Sequence, residues 1–174
     1  MLKLNQPAPE FKLSAYQKGL KDDYKEISLK DYKGKWLVLF FYPRDFTFVC
    51  PTEITGFGKV YADFQKIDTE ILAASTDSVY SHKAWFERDL DGVEYPVLAD
   101  TAHTLAQDYG VLIEESGEAE RGTFIIDPEG NLRYVVISDG NVGRSVEETM
   151  RVVKALQTGG LCPMDWTPGQ PNLK

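Results

Sequence analysis

Cysteine is nearly absent from this chain: two in 174 residues, Cys50 and Cys162. Two are too few for the disulfide framework of a small secreted domain, so a reducing cytoplasm is the expected compartment. Histidine is as scarce, with His82 and His103 alone, and neither has a carboxylate or cysteine at ligand spacing, which argues against a metal centre. Basic residues show no excess and no cluster. Lys and Arg number 19 against 27 Asp and Glu, for a net charge of −8. That balance argues against nucleic acid or an anionic membrane surface as partner. No apolar run approaches the ~18 residues of a membrane span, and the opening "MLKLNQPAPEF" lacks the long apolar core of a leader. Repeats, low-complexity tracts and long linkers are also missing. The chain therefore reads as one domain over residues 1–174, with 159–174 as a mobile C-terminal tail.

What is present is ordinary globular material, 43% hydrophobic and 26% charged, on a chain long enough to bury its own core. "WLVLFFY" (Trp36–Tyr42) is a continuous apolar run, the pattern of a strand buried on both faces. Pro43 stops it. After Cys50, Pro51 suits the first turn of a helix, where its missing N–H is no loss. Ile54, Phe57, Tyr61 and Phe64 then recur on one helical face. "EILAAS" (Glu70–Ser75) predicts the next strand and "SVYSHKAWFERD" (Ser78–Asp89) the next helix, with Trp85 and Phe86 as core or interface residues. "TFIID" and "LRYVVI" flank "DPEGN" as a β-hairpin. Val146, Met150, Val153 and Leu156 carry a last helix before Gly159 and Gly160, and a Gly/Pro-punctuated tail follows. Strand, helix, strand, helix, hairpin and closing helix make an α/β plan with a mixed central sheet flanked by helices. The order is that of the thioredoxin fold with additions; the pattern alone is equally open to another three-layer α/β fold.

Cys50 thus falls where a strand-to-helix connection ends and a helix begins. Backbone N–H groups point out of such an end and the helix dipole favours an anion there, so a thiol in that place is expected to be held as thiolate. Thr47, three residues earlier, is close enough in a tight loop for its hydroxyl to bond the sulfur or a ligand on it. Pro43 fixes the start of the loop and shields the pocket. A buried cysteine, a capping threonine and a loop-starting proline without chemistry fit the same three residues.

A magnitude narrows the chemistry. Free cysteine is already a few per cent ionised at neutral pH, so full ionisation gains only about 30-fold, and nucleophilicity falls as the thiol becomes more acidic. A fast thiol enzyme must also stabilise the departing group, for which arginine is the usual donor. Of the six arginines, 44, 88, 121, 133, 144 and 151, only Arg121 directly precedes a strongly predicted core strand, in "RGTFIID".

In "PRDFTFVCP", Pro43, Thr47 and Cys50 stand as P-x-x-x-T-x-x-C, which resembles the active-site motif of the peroxiredoxins. "FYPRDFTFVCPTEI" looks like their typical two-cysteine branch, which includes the peroxidase component of bacterial alkyl hydroperoxide reductase. "RGTFIIDPEG" is similar to the stretch bearing the family's catalytic arginine, here Arg121. "VGRSVEETMRVVKALQ" matches the segment carrying a second arginine, here Arg144. "LCPMDW" resembles the motif around the resolving cysteine, here Cys162. Five blocks in order cover nearly the whole chain. The resemblance implies a thioredoxin-like fold with peroxiredoxin additions, no cofactor, no metal, and an antioxidant peroxidase. It implies that the Cys50 thiolate attacks a peroxide held by Thr47, Arg121 and backbone N–H groups. The resulting sulfenic acid condenses with Cys162 of the partner subunit, and a thioredoxin or a flavoprotein disulfide reductase reopens the disulfide. Glu53 matches a family glutamate that pairs with the arginines. A homodimer follows, with assembly into a decamer open.

Two departures bear on that expectation. Eukaryotic relatives that over-oxidise easily carry a G-G-L-G insertion and a C-terminal helix ending in Y-F; here the loop is "ERDLDGVEYPVL" and the chain ends at Lys174, shortly after Cys162. Resistance to excess peroxide is expected, and sulfinic acid accumulating at low peroxide would count against it. Arg44 is not required by the motif and reads as solvent-facing near the pocket. The rivals are a thiol–disulfide oxidoreductase, disfavoured because Glu53 stands where Cys-x-x-Cys needs a thiol, and a non-catalytic redox sensor or ring-forming chaperone.

Overall fold

The computed structural model describes residues 2–20 and 24–174. The chain forms two compact units, Met1–Arg144 and Ser145–Lys174.

The first unit is built on a seven-stranded mixed sheet. Strands β1 (Lys12–Tyr16), β2 (Tyr24–Ser28), β3 (Trp36–Phe41), β4 (Thr69–Ser75), β5 (Val97–Ala99), β8 (Arg121–Ile126) and β9 (Leu132–Ser138) lie in the order β2-β1-β5-β4-β3-β8-β9. A separate two-stranded ribbon pairs β6 (Leu112–Ile113) with β7 (Glu118–Ala119). Strands β3, β4 and β5 run parallel, and the four remaining sheet pairings are antiparallel. The apolar run at Trp36 is the sheet's interior, as its composition requires. Leu37, Leu39 and Phe41 face a cluster with Leu72, Ala74 and Phe124, while Val38, Phe40 and Tyr42, all fully buried, point the other way. Helix α4 (Thr104–Asp108) adds Leu105 and Ala106 to the first face. Helices α1 (Cys50–Lys59) and α3 (Val79–Asp89) cover the second: Phe57 stacks on Phe40 with ring centroids 4.6 Å apart, and Trp85 tilts against Tyr42 at 6.1 Å.

The single helix expected through Phe64 is instead α1 and a short α2 (Tyr61–Gln65), hinged at Val60, whose N–H bonds the carbonyl of Phe57. Glycines weaken the stretch "TGFGKV", and Gly58 packs closely, since a Cβ there would lie 3.2 Å from Val93 Cγ2. Phe57 and Phe64 still share one face, at 6.2 Å. The hairpin β8–β9 is as expected. Asp127 closes its turn by accepting the N–H groups of Glu129 and Asn131, and Gly130 takes φ +91. The N-terminal hairpin, β5, α4 and the β6–β7 ribbon are additions to the expected plan, with elements of two to five residues.

In the second unit, Ser145 caps α5 (Val146–Gln157) by accepting the N–H of Glu148. The segment after it carries its own hydrogen bonds. Leu161 and Leu173 form an antiparallel bridge, Trp166 Nε1 donates to the carbonyl of Gln170, and Arg151 Nη1 donates to the carbonyl of Trp166. No helix among the described residues is long and apolar enough to cross a membrane.

Candidate active site

Strand β3 delivers the chain to Tyr42, a loop runs from Pro43 to Val49, and α1 starts at Cys50 with Pro51 in its first turn. The N-terminus of α1 is therefore at the C-terminal edge of the sheet, and Cys50 is 1% exposed there. Strand β8 runs antiparallel to β3, with Thr123 opposite Phe40, so Arg121 emerges beside the same edge. The register of two strands brings sulfur and guanidinium together across 71 positions of sequence.

Arg121 Nη1 lies 3.4 Å from Cys50 Sγ and donates to it. The same nitrogen donates to Glu53 Oε2 at 2.6 Å, while Nε is held by the carbonyl of Gly140 at 2.9 Å. Glu53, one turn into α1, turns its other oxygen to Arg144: Oε1 accepts the backbone N–H at 2.9 Å and Nε at 2.8 Å. Arg144 also donates to the carbonyls of Gly122 and Phe41 and to Thr123 Oγ1, and its guanidinium lies 5.0 Å from the ring centre of Phe40. Burial pulls the Arg144 guanidinium below the ordinary arginine value, and Glu53 opposes that shift. The side chains of Arg121 and Arg144 are 4% exposed and that of Glu53 2%.

Charge counting says what this group lacks. Two guanidinium cations face one carboxylate in a buried setting, which leaves one positive charge uncompensated. Buried charge without a partner is costly. An anion at Cys50 Sγ, already bonded by Arg121, brings the set to neutrality.

The hydroxyl of Thr47 does not bond the sulfur. It donates to the carbonyl of Arg44 at 2.9 Å, because the tight loop brings that carbonyl three residues back within reach. With its proton so committed, the oxygen is left to act as an acceptor. Pro43 is half-buried at the loop's start. Arg44 is solvent-facing, as expected, and pairs with Glu118 at 2.8 Å.

One cluster behind this loop was missed. Asp45, fully buried, accepts from Tyr42 Oη at 2.7 Å and from Ser81 Oγ at 2.7 Å, and lies 2.8 Å from His82 Nδ1; its backbone N–H donates to Asp77 Oδ2 at 2.9 Å. These bonds pin the Pro43–Val49 loop to α3. Next to it Phe46 sits at φ +56, unusual for a bulky residue, held against Trp85 at 5.8 Å and under Arg88 at 4.8 Å. The only sequence signal was a histidine on the buried face of a predicted helix; the carboxylate it meets comes from another element.

Cys50, Glu53, Arg121 and Arg144 are therefore one contiguous group, with Thr47 on the loop that leads into it. Cys162 belongs to the second unit, half-buried beyond α5, and both cysteines are free. Among the described residues no group of three or more His, Cys, Asp or Glu is placed to hold a metal ion.

The model of the AhpC/TSA family matches residues 4–135. Peroxiredoxin prdx-2 of Caenorhabditis elegans is 52% identical over 180 residues, covering 98% of this chain and 88% of the worm protein. Enterococcus faecalis AhpC superposes with a TM-score of 0.87 at 39% identity, covering 94% of this chain and 100% of that one. The reduced 2-Cys peroxiredoxin of Plasmodium vivax reaches 0.91 at 33% identity, over 98% of this chain and 92% of its own. The mixed sheet with its flanking helices is thus the thioredoxin-like fold of the peroxiredoxins, and the chain belongs to the AhpC/TSA family.

Proposed function

We propose that this thiol peroxidase reduces hydrogen peroxide and organic hydroperoxides through Cys50, and that Cys162 of the partner subunit completes the cycle. The Cys50 thiolate attacks one peroxide oxygen in line with the O–O bond. That bond breaks, Cys50 becomes a sulfenic acid, and the departing oxygen takes a proton and leaves as water or an alcohol. Arg121 donates where negative charge develops and Thr47, set as an acceptor, receives the peroxide's own O–H. Both contacts favour the transition state over the ground state. Glu53 and Arg144 are positioning residues, holding Arg121 against the sulfur. The thiol of Cys162 of the partner subunit then displaces hydroxide from the sulfenic sulfur, giving a disulfide and water. A dithiol donor, a thioredoxin or a flavoprotein disulfide reductase, restores both thiols in a reducing compartment.

A homodimer follows from the two-cysteine cycle. Strand β9 suits it, since it ends the sheet and leaves Val136 and Ile137 exposed for pairing with a second copy. Assembly of dimers into a decamer is compatible with the exposed Phe46 and Phe48 of the active-site loop.

The observation that carries the reading is the Arg121 Nη1 to Cys50 Sγ bond of 3.4 Å inside a buried set that needs one more negative charge. Peroxide consumption is to be followed with thioredoxin, its reductase and a nicotinamide donor, for wild type and Cys50→Ser. The enzyme turns over and the variant does not. The same assay is run with a flavoprotein disulfide reductase as donor; comparable consumption by wild type and variant, or negligible turnover by wild type with either donor as for a redox sensor, rejects the assignment.

A further inference from the structure

Cys162 lies past the C-terminal end of α5, and its sulfur is surrounded by oxygens of its own unit. The S–H donates to the carbonyl of Ala155 at 3.6 Å, with Thr158 Oγ1 at 3.6 Å and Asn172 Oδ1 at 3.7 Å. Sulfur contacts of this kind are individually weak. Asn172 organises them: its Nδ2 donates to Thr158 Oγ1 at 2.9 Å while its oxygen faces the thiol, so one amide closes the ring around the sulfur. Thr158 Oγ1 in turn donates to the carbonyl of Ala155 at 2.8 Å and accepts the N–H of Gly160 at 3.2 Å.

Two features show that the approach of Asn172 is built in. The bridge of Leu161 to Leu173, with the Leu173 N–H on the Leu161 carbonyl at 2.8 Å, turns the chain end back so that residue 172 reaches residue 158. Gly160 is bare at the contact, where a Cβ would fall 2.1 Å from Asn172 Nδ2. Any other residue at 160 pushes the amide away.

We propose that Asn172 is a positioning residue that clasps Cys162 against the end of α5, and that opening of this clasp precedes disulfide formation. The inference rests on the reading of Cys162 as the resolving thiol. A sulfur hemmed by polar atoms on three sides must leave them before another sulfur can approach. The clasp consists of neutral hydrogen bonds between solvent-accessible groups, so it opens readily and sets the resolution rate without touching the chemistry at Cys50. It lowers the fraction of time for which the second thiol is free to react.

The test uses full-length reduced protein: wild type, Asn172→Ala, and Gly160→Ala as an independent way to displace the same amide. Alkylation of Cys162 by iodoacetamide is timed in a Cys50→Ser background. Formation of the Cys50–Cys162 disulfide after one equivalent of hydrogen peroxide is timed on quenched non-reducing gels. First-turnover peroxide loss, which is set at Cys50, serves as reference. Both variants are expected to speed alkylation and disulfide formation by about fivefold, the factor carried by one neutral hydrogen bond. Unchanged alkylation overturns the clasp, and so does slower disulfide formation, which would make Asn172 an aid to resolution. A wild type that forms no disulfide, or a Cys162→Ser protein that still becomes a covalent dimer as fast as wild type after one equivalent of peroxide, rejects the resolving role itself; alkylation rates report on the clasp separately.

Discussion

Glu53 is the residue whose place was easiest to name and whose weight was hardest to see. Its spacing from Cys50 puts it one helical turn on, and that much is sequence. Its partners, Arg121 and Arg144, come from distant parts of the chain, and only the sheet register and the approach to α5 deliver them. Removing one member of a buried ionic group leaves the others uncompensated, at about 3–5 kcal/mol. Glu53→Gln is therefore predicted to lower the unfolding free energy by about that amount in urea titration; a loss within 1 kcal/mol would show that the guanidinium groups find other compensation. Thr47 teaches the opposite lesson. It lies on the loop that leads to Cys50, but its donor bond goes to a loop carbonyl rather than to sulfur, a detail fixed by backbone geometry that no side-chain pattern encodes.

At the scale of elements, long apolar or strongly periodic stretches were legible: β3, β4, α3, the β8–β9 hairpin and α5 all stand where composition placed them. The three-residue β5 and the two-residue strands of the ribbon were not, because a period needs length to declare itself. The helix after Cys50 breaks at Val60, just past the two glycines of "TGFGKV", which weaken a helix. The connection from β4 to α3 carries a titration of its own. Asp77 is half-buried, and burial first, then the charge of Asp45, raises its carboxyl above the ordinary value. A carboxyl raised by folding contributes stability that is full below its unfolded value and lost as pH rises through its folded one. Asn at that position is neutral throughout and can still accept the Asp45 N–H. The Tm difference between Asp77→Asn and wild type is accordingly predicted to move in favour of the variant as pH rises from about 4 to 7. A difference independent of pH contradicts this.

Taken whole, the molecule places one thiol at the start of a helix and the other just past the end of one, each in a different compact unit. The buried Asp45–His82–Tyr42 anchor behind the loop was invisible, since it joins elements 37 residues apart with no shared motif. What unites the site is charge. The central claim is that Arg121 acts on the oxygen leaving the peroxide as well as on the sulfur. Ionisation alone is worth at most about 30-fold, whereas a lost oxyanion donor costs on the order of 100- to 1,000-fold. The most direct measurement is rapid-mixing kinetics of Cys50 in wild type and Arg121→Gln, with one equivalent of hydrogen peroxide and, separately, with iodoacetamide, which expels no oxygen. The peroxide rate is expected to fall by about 100-fold or more and the alkylation rate by far less. Equal losses with both reagents, or no loss with peroxide, would contradict it.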